Sequence, residues 1–171
     1  QDKGFNGFSY AHIAAELGVK NAAIHYHFPS KEGLGCAVIQ RYRDRFHLWV
    51  NNARVKNLSP QKKLEWFFGI YTNMRANKGQ VCLAGSLETD FNAIPESLRK
   101  QTQAMAGEML SWLQETLKEG REAGIFQFNG DPCAKAALVL SSLQGGLQLA
   151  RALGTRKFQE VIEQNKQDLL A

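Results

Sequence analysis

The segment covering residues 9–28 constrains the fold most strongly, because its residues predict two short helices joined by a tight turn. Ser9 is a typical N-cap residue for a helix over residues 10–17. Gly18 suits the left-handed position that ends such a helix. A second short helix is predicted from about residue 21 to residue 28. Two short helices joined through a glycine-containing turn predict a helix-turn-helix.

The remaining chain also shows helical periodicity, with no convincing alternation of the kind that strands require. Along the third helix the predicted apolar stripe includes Leu34, Val38, Tyr42 and Trp49. The predicted fold class is therefore all-α. A helix-turn-helix domain is expected at residues 1–50, followed by an antiparallel helical domain at 51–171. Capping or proline signals for the later helices stand at Ser30, Ser59-Pro60, Pro95, Asp131-Pro132 and Thr155.

Composition excludes several classes of protein. The chain has 171 residues, of which 44% are hydrophobic and 22% charged, so it is neither disordered nor a membrane protein. Its three cysteines form no CxxC pair, which argues against a disulfide framework and a zinc ribbon. We expect a cytoplasmic protein with no cofactor and no metal site.

The net charge of +5 is concentrated near the beginning of the chain. Residues 1–56 contain eight Lys and Arg against four Asp and Glu, whereas residues 57–171 contain thirteen against twelve. A basic first third favours contact with a polyanion, most commonly nucleic acid. A solvated helix face carrying Arg41, Arg43 and Arg45 explains the same surplus equally well.

The run Tyr26-His27-Phe28-Pro29-Ser30-Lys31-Glu32-Gly33-Leu34, with Ile13-Ala14 and Gly18-Val19 before it, resembles the tetracycline-repressor (TetR) family of bacterial transcriptional regulators. The resemblance to the DNA-binding domain of that family covers residues 4–50. It implies a homodimer with a DNA-binding domain at residues 1–50, which binds double-stranded operator DNA, and a ligand-sensing and dimerisation domain at 51–171, which responds to a small organic ligand. Family members also have a helix before the position of Gly4, so we expect a truncated or disordered start that leaves Ile13, Leu17 and Phe28 partly uncovered.

The resemblance also implies roles for individual residues in DNA binding. His25 stands where the family usually has Tyr, so either His25 or Tyr26 makes the main contact. Lys20 stands where a capping Ser or Thr is usual, so Asn21 either caps the second helix or faces the bases. By position, the base-facing residues are Lys20, Asn21 and Ala22, and the phosphate-holding residues are Ser9, Tyr10, His25, Tyr26 and Lys31.

Large apolar residues of the second domain are candidates for a ligand pocket, because such pockets combine apolar walls with a few polar groups. Each of them is also explained as ordinary core. The candidates are Trp66, Phe67, Tyr71, Met74, Cys82, Phe91, Met105, Met109, Trp112 and Leu143.

Cys82 has two interpretations. It is either a small buried hydrophobe or a thiol that senses oxidants and electrophiles, with Arg75 and Lys78 lowering its pKa. An enzyme using Cys82, or the His25 and His27 pair, is disfavoured. Side chains two apart on a helix point about 200° away from each other, so the histidines cannot share a metal.

The penultimate helix contains adjacent glycines, which cost about 1 kcal/mol each in a helix relative to alanine. Close approach of another helix would offset that cost, so this helix and the last one are assigned to a four-helix dimer interface. A kink or a ligand contact at Gly145-Gly146 is the alternative. The interface residues are predicted to be Ala137, Ser141, Gln144, Gly145 and Gln148.

Overall fold

A computed structural model describes residues 1–76 and 80–170, with the side chains of α5 described as far as Asn73. No strand occurs in these two ranges, and the predicted all-α fold is confirmed. A short 3-10 turn at Phe91–Ala93 precedes the longest helix. The α-helices are α1 Tyr10–Leu17, α2 Asn21–His27, α3 Lys31–Asn51, α4 Ala53–Lys56, α5 Pro60–Ala76, α6 Leu83–Thr89, α7 Glu96–Glu122, α8 Pro132–Leu153 and α9 Thr155–Leu170.

Local capping positions the first three helices. The Ser9 hydroxyl accepts the His12 backbone N–H at 3.4 Å, and Gly18 ends α1 with a φ of 66°. The Ser30 hydroxyl accepts the Gly33 N–H at 3.0 Å at the start of α3. The two serines satisfy backbone N–H groups at the starts of α1 and α3, and Gly18 supplies the positive φ at the end of α1, as the sequence predicted.

The helix-turn-helix has a small core of its own, formed by Tyr10, Ala14 and Ile24. Ile13 and Phe28 pack against it and remain half-buried. Leu17, which was expected to be partly uncovered, and Val19 in the turn have exposed fractions of 64% and 44%.

The buried face of α3 differs from the predicted stripe. Val38 is 38% exposed, whereas Gly35 and Ile39 are buried. A Cβ atom added to Gly35 would lie 2.9 Å from a side-chain carbon of Leu98 and equally close to one of Phe5. The glycine therefore lets α3 approach α7 closely, and this tertiary contact sets the rotation of α3 about its axis.

Helices α3 and α7 lie side by side and run parallel. Ser97 donates to the Glu32 carboxylate near their first turns. Eleven residues further along both helices, Arg43 donates to the Glu108 carboxylate. Both pairs have the same sequence separation of 65 residues, as expected when two helices keep one register. Helix α3, which follows the helix-turn-helix, is thus held by these two contacts along α7, the longest helix of the second domain.

The second domain is built mainly from α5, α7, α8 and α9. Lys63 near the start of α5 pairs with Glu119 near the end of α7, so these helices are antiparallel. A Cβ added to Gly146 of α8 would lie 3.0 Å from the Phe158 ring of α9, so this glycine permits close helix packing. Within residues 1–76 and 80–170, no helix is long and apolar enough to cross a membrane.

Candidate DNA-binding surface and ligand cavity

The second helix of the helix-turn-helix, α2, presents most of its side chains to solvent. Ile24 is its one buried residue. Tyr26 is 83% exposed, and Asn21, Ala22 and His25 are exposed beside it. An exposed second helix anchored by one buried side chain is the geometry by which a helix-turn-helix enters the major groove.

The start of α2 bears on the role of Asn21. Lys20 occupies the N-cap position and makes no side-chain capping hydrogen bond, and Asn21 is the first helical residue. The N-cap place is therefore taken by Lys20. Asn21 is exposed at the N-terminal end of α2. In a helix-turn-helix, the N-terminal residues of the second helix are the ones that contact base edges.

Tyr10 was predicted to hold a phosphate, and the structure gives it another role. Its exposed fraction is 7%, and its hydroxyl donates to the Phe28 carbonyl at 2.7 Å. Its ring packs against the His25 ring with a centroid separation of 4.5 Å. Tyr10 thus ties α1 to the end of α2, and the more exposed His25 ring lies outside it.

Lys31 was also predicted to hold a phosphate, and its ammonium group is already engaged. Nζ donates to the Phe8 carbonyl at 2.6 Å. The same atom lies 4.4 Å from the centre of the Phe8 ring and 4.8 Å from that of Phe5, within the range of a cation–π interaction. Lys31 therefore attaches the N-terminal segment to the first turn of α3. Ser9 is half-buried, and its hydroxyl caps α1.

A cavity of about 250 Å³ lies between α3, α5, the start of α6 and α7. We call it the α3–α5–α7 cavity. It brings together five of the predicted ligand residues, and sequence reasoning missed the α3 side chains in its wall. The predicted members are Phe67, Tyr71, Cys82, Met105 and Met109, and the others are Tyr42, Arg45, Phe46, Trp49, Ile70 and Leu83.

Four predicted ligand residues are absent from the described lining of this cavity. Trp66 is 46% exposed on the outer side of α5, and Leu143 is fully buried in the core of the second domain. Phe91 lies in the 3-10 turn. Trp112 packs behind the lining, against the rings of Trp49 and Phe67. The side chain of Met74 lies outside the described part of the structure.

Aromatic rings from three helices form one wall of the cavity. Trp49 lies 4.8 Å from Trp112 and 6.5 Å from Phe67, measured between ring centroids. Phe46 packs 5.9 Å from Trp49, and Tyr71 packs 5.4 Å from Phe67. Contacts of this kind stabilise a rigid apolar surface on which a flat ligand can stack.

Cys82 lies deep in the cavity wall and is 1% exposed. Its Sγ lies 3.9 Å from the Tyr71 hydroxyl oxygen. Burial raises the pKa of the Cys82 thiol, and it outweighs the lowering effect of hydrogen bonds from Tyr71 and from the Gly85 and Ala84 backbone at the start of α6. Burial likewise raises the pKa of Tyr71, so both groups are neutral near pH 7. The predicted pKa-lowering neighbours, Lys78 and the Arg75 side chain, lie outside the described residues.

A second cavity, of about 400 Å³, lies between the N-terminal segment and α3, α6 and α7. Its walls include Phe5, Val38, Leu87 and Leu98, and none of the predicted ligand residues. Leu83 is the residue that lines both cavities. The sequence contained no separate signal for this space.

The outer face of α8 carries several of the predicted dimer residues. Ser141, Gly145 and Gln148 are exposed, and a Cβ added to Gly145 would meet no atom within 4 Å. Leu138 and Leu149, which sequence reasoning missed, are 67% and 49% exposed on this helix. Ala137 is half-buried. Gln144 turns toward α6, where its side chain lies 3.5 Å from the Cβ position of Gly85.

Among the described residues, no group of three or more His, Cys, Asp or Glu side chains is placed to hold a metal ion. The three cysteines are free thiols, of which Cys36 and Cys133 are half-buried.

The fold and the exposed α2 define a helix-turn-helix transcriptional regulator with a helical second domain. Two family models match the chain: "Bacterial regulatory proteins, tetR family" over residues 1–38, and "Tetracyclin repressor-like, C-terminal domain" over residues 60–164. The chain belongs to the TetR family of transcriptional regulators, as its sequence indicated.

Solved structures of TetR regulators agree. One from Agrobacterium tumefaciens has a TM-score of 0.89 and 28% identity, covering 98% of this chain and 89% of that chain. A second, from Legionella pneumophila, has a TM-score of 0.81 and 33% identity, covering 96% and 88%.

The repressor NemR of Escherichia coli K12 is 22% identical over 140 residues, which are 80% of this chain and 70% of NemR. The crystal structure of its reduced form shares the fold, with a TM-score of 0.79 and 19% identity, covering 98% of this chain and 89% of that one.

Proposed function

We propose that the protein is a homodimeric repressor that binds an operator through α2 and is released by a small organic molecule held in the α3–α5–α7 cavity. One observation carries the proposal: α3 directly follows α2 in the chain and also forms a wall of the cavity. A ligand that changes the packing of α3 therefore changes the position of the DNA-binding helix. The name of NemR, a transcriptional repressor, supports repression rather than activation.

The response requires two arrangements of the dimer. In the DNA-binding arrangement, the two α2 helices fit successive major grooves about 34 Å apart. The ligand has to bind more tightly to an arrangement with a different spacing, because only differential affinity shifts such an equilibrium. The side chains that line the cavity on α3, notably Phe46 and Trp49, are the ones that a ligand would displace.

The open face of α8 is the proposed contact with the second copy. Two exposed leucines, Leu138 and Leu149, flank the small residues Ser141 and Gly145. Small residues allow helices to approach closely, while leucines supply apolar area. Gly145 thereby has a role distinct from that of Gly146, which packs against α9 within one chain.

In DNA binding, Asn21 and Ala22 are proposed to face bases, and His25, Tyr26 and Ser9 to face phosphates. Lys20, which the sequence assigned to the base-facing set, is proposed to reach a phosphate instead, because it occupies the N-cap position ahead of α2 and its side chain makes no capping bond. Lys31 supports the surface indirectly through its bond to the Phe8 carbonyl. In the cavity, Cys82 is proposed to be a lining residue and not a reactive thiol, since it is buried and neutral. Three free cysteines are consistent with the reducing cytoplasm as the site of action.

The test is a gel-shift titration with the DNA upstream of the gene that encodes the protein, repeated over a range of salt concentrations. Lys20→Ala should weaken binding to all DNA sequences and reduce the salt dependence by about one unit of slope per protomer. Lys56→Ala is the matched control, because that lysine is exposed at the end of α4, about 30 Å along α3 from α2. Absence of binding, or equal effects of the two variants, would contradict the proposal.

A further inference from the structure

We propose that the α3–α5–α7 cavity selects a small flat aromatic anion, one or two rings in size, whose acidic group is held by Arg45 at the open side. This inference rests on the proposed ligand-binding function of the cavity. It adds the chemical class of the ligand and the residue that reads its charge.

The size of the cavity limits the ligand. Pockets for drug-sized molecules commonly measure about 300–1,000 Å³, and this one measures about 250 Å³. A molecule with one or two fused rings is about the largest that such a space encloses. Long acyl chains or multi-ring compounds would require the helices to separate.

The walls favour a flat and polarizable molecule. Phe46, Trp49 and Phe67 present ring surfaces to the cavity, and Met105 and Met109 add thioether groups from α7. Aromatic rings attract other rings through offset or edge contacts. Methionine sulfur makes favourable contacts with aromatic rings and adapts to irregular shapes. An aromatic ligand therefore gains more here than an aliphatic one of equal area.

The two ends of the cavity differ in polarity. At the deep end, the polar groups are the Tyr71 hydroxyl and the Cys82 thiol, both buried and neutral. Placing an anion there would incur the same desolvation cost that raises the pKa of these two groups. The deep end therefore accepts a ring or a neutral polar substituent.

The open side carries a positive charge. Arg45 lines the cavity and is exposed to solvent. No ion pair or hydrogen bond to the Arg45 guanidinium is found among residues 1–76 and 80–170, in contrast to Arg43 two residues earlier, which is held by Glu108. A guanidinium presents parallel N–H donors that match a carboxylate or a similar oxyanion. The charge of the ligand is thus accommodated where water still solvates it.

The experiment measures binding of two matched probes to the full chain by isothermal titration calorimetry. 1-Naphthoate carries the anion, and 1-naphthylmethanol has the same rings without the charge. We expect naphthoate to bind about five- to tenfold more tightly to the unmodified protein, the range for a partly solvated charge-assisted contact. Arg45→Gln should remove this preference while leaving the affinity for naphthylmethanol unchanged.

Two further variants locate the effect. Arg41→Gln removes another exposed arginine of α3 that does not line the cavity, so it should leave the preference intact. Ile70→Trp should weaken binding of both probes, because Ile70 lines the cavity and the larger side chain fills it. Circular dichroism confirms that each variant is folded.

Three results would overturn the inference: equal affinity of the unmodified protein for both probes, no measurable binding of either at millimolar concentration, or a preference that survives Arg45→Gln. A gel-shift titration on the same preparations distinguishes failure of the proposed ligand class from failure of the proposed DNA-binding function. Retained operator binding together with any of the three results would refute the ligand class and leave the DNA-binding proposal standing. If the unmodified protein does not bind the operator, the DNA-binding proposal is refuted.

Discussion

The Arg43 guanidinium of α3 holds the Glu108 carboxylate of α7, with Nε lying 3.1 and 3.2 Å from the two carboxylate oxygens. His47 Nε2 approaches the same carboxylate at 3.2 Å. The contact joins the helix that follows the DNA-binding motif to the longest helix of the second domain. It is partly buried, with exposed side-chain fractions of 21% for Arg43 and 24% for Glu108.

This contact predicts a specific pH dependence of stability. The hydrogen bond from Arg43 lowers the pKa of Glu108 below its ordinary value of 4.5. The resulting stabilisation is present above pH 4.5 and is lost as the pH falls through the lowered pKa of the folded protein. Glu108→Gln should therefore reduce the free energy of unfolding by about 1 kcal/mol at pH 7 and by less at pH 3.

Urea unfolding followed by circular dichroism at both pH values checks this prediction. Glu96→Gln is the matched control, because Glu96 pairs with Lys100 in a largely exposed i,i+4 ion pair. That variant should differ from the unmodified protein by less than about 0.5 kcal/mol. A Glu108→Gln effect of the same size at pH 3 and pH 7 would show that the contact carries no charge-dependent stabilisation.

Two glycines of α7 should respond oppositely to alanine. A Cβ added to Gly120 would lie 2.0 Å from the buried Phe126 ring, whereas one added to Gly107 would meet no atom within 4 Å. Gly120→Ala should lower the free energy of unfolding by roughly 2 kcal/mol through overpacking. Gly107→Ala should raise it by up to about 1 kcal/mol through helix propensity. Thermal unfolding of the two variants gives the comparison, and a shift of the same sign in both would contradict the packing shown for Phe126.

The open face of α8 predicts the effect of charge on assembly. Leu138→Glu should weaken self-association by about tenfold or more, because it places a carboxylate in the centre of an apolar contact. Leu48→Glu serves as the control, since Leu48 is 74% exposed on α3. Sedimentation velocity at several concentrations measures both. If Leu138→Glu sediments as the unmodified protein does, α8 is not the dimer contact.

Burial of Cys82 predicts low thiol reactivity. The folded protein should react with 5,5′-dithiobis(2-nitrobenzoate) at the half-buried Cys36 and Cys133 before Cys82, because the thiolate is the nucleophile and Cys82 is held as the neutral thiol. Variants that each retain a single cysteine assign the three rates. Reaction of Cys82 at neutral pH as fast as the other two would favour the thiol-sensing interpretation over the lining role.

The sequence predicted best what neighbouring residues determine. Ser9, Gly18 and Ser30 set helix ends through interactions within four residues, and the helices begin and end where these residues stand. The predicted stripe places Tyr42 and Trp49 correctly against the core, but Ile39 and not Val38 is buried on α3. Its rotation depends on a close approach to α7 at Gly35, which no local pattern reveals.

The same distinction holds for the candidate sites. Tyr10 and Lys31 have the residue types that hold phosphates, yet each donates to a main-chain carbonyl about twenty residues distant in sequence. The cavity residues of α5 and α7 were predicted from their composition, with the exception of Ile70. Those of α3, including Arg45, were missed because helical periodicity assigned them to the core or to solvent, and a cavity wall is neither.

The constant separation of 65 residues along the parallel α3 and α7 has a mechanical consequence. If α7 slid along α3 by a single residue rise, about 1.5 Å, the Glu32–Ser97 pair and the Arg43–Glu108 pair would go out of register together. Such a shift would therefore strain both contacts at once, and the two pairs together oppose sliding of α7 along α3. Under the proposed function, a ligand that unseats α3 would have to break both contacts, and α2, which directly precedes α3 in the chain, would move with it.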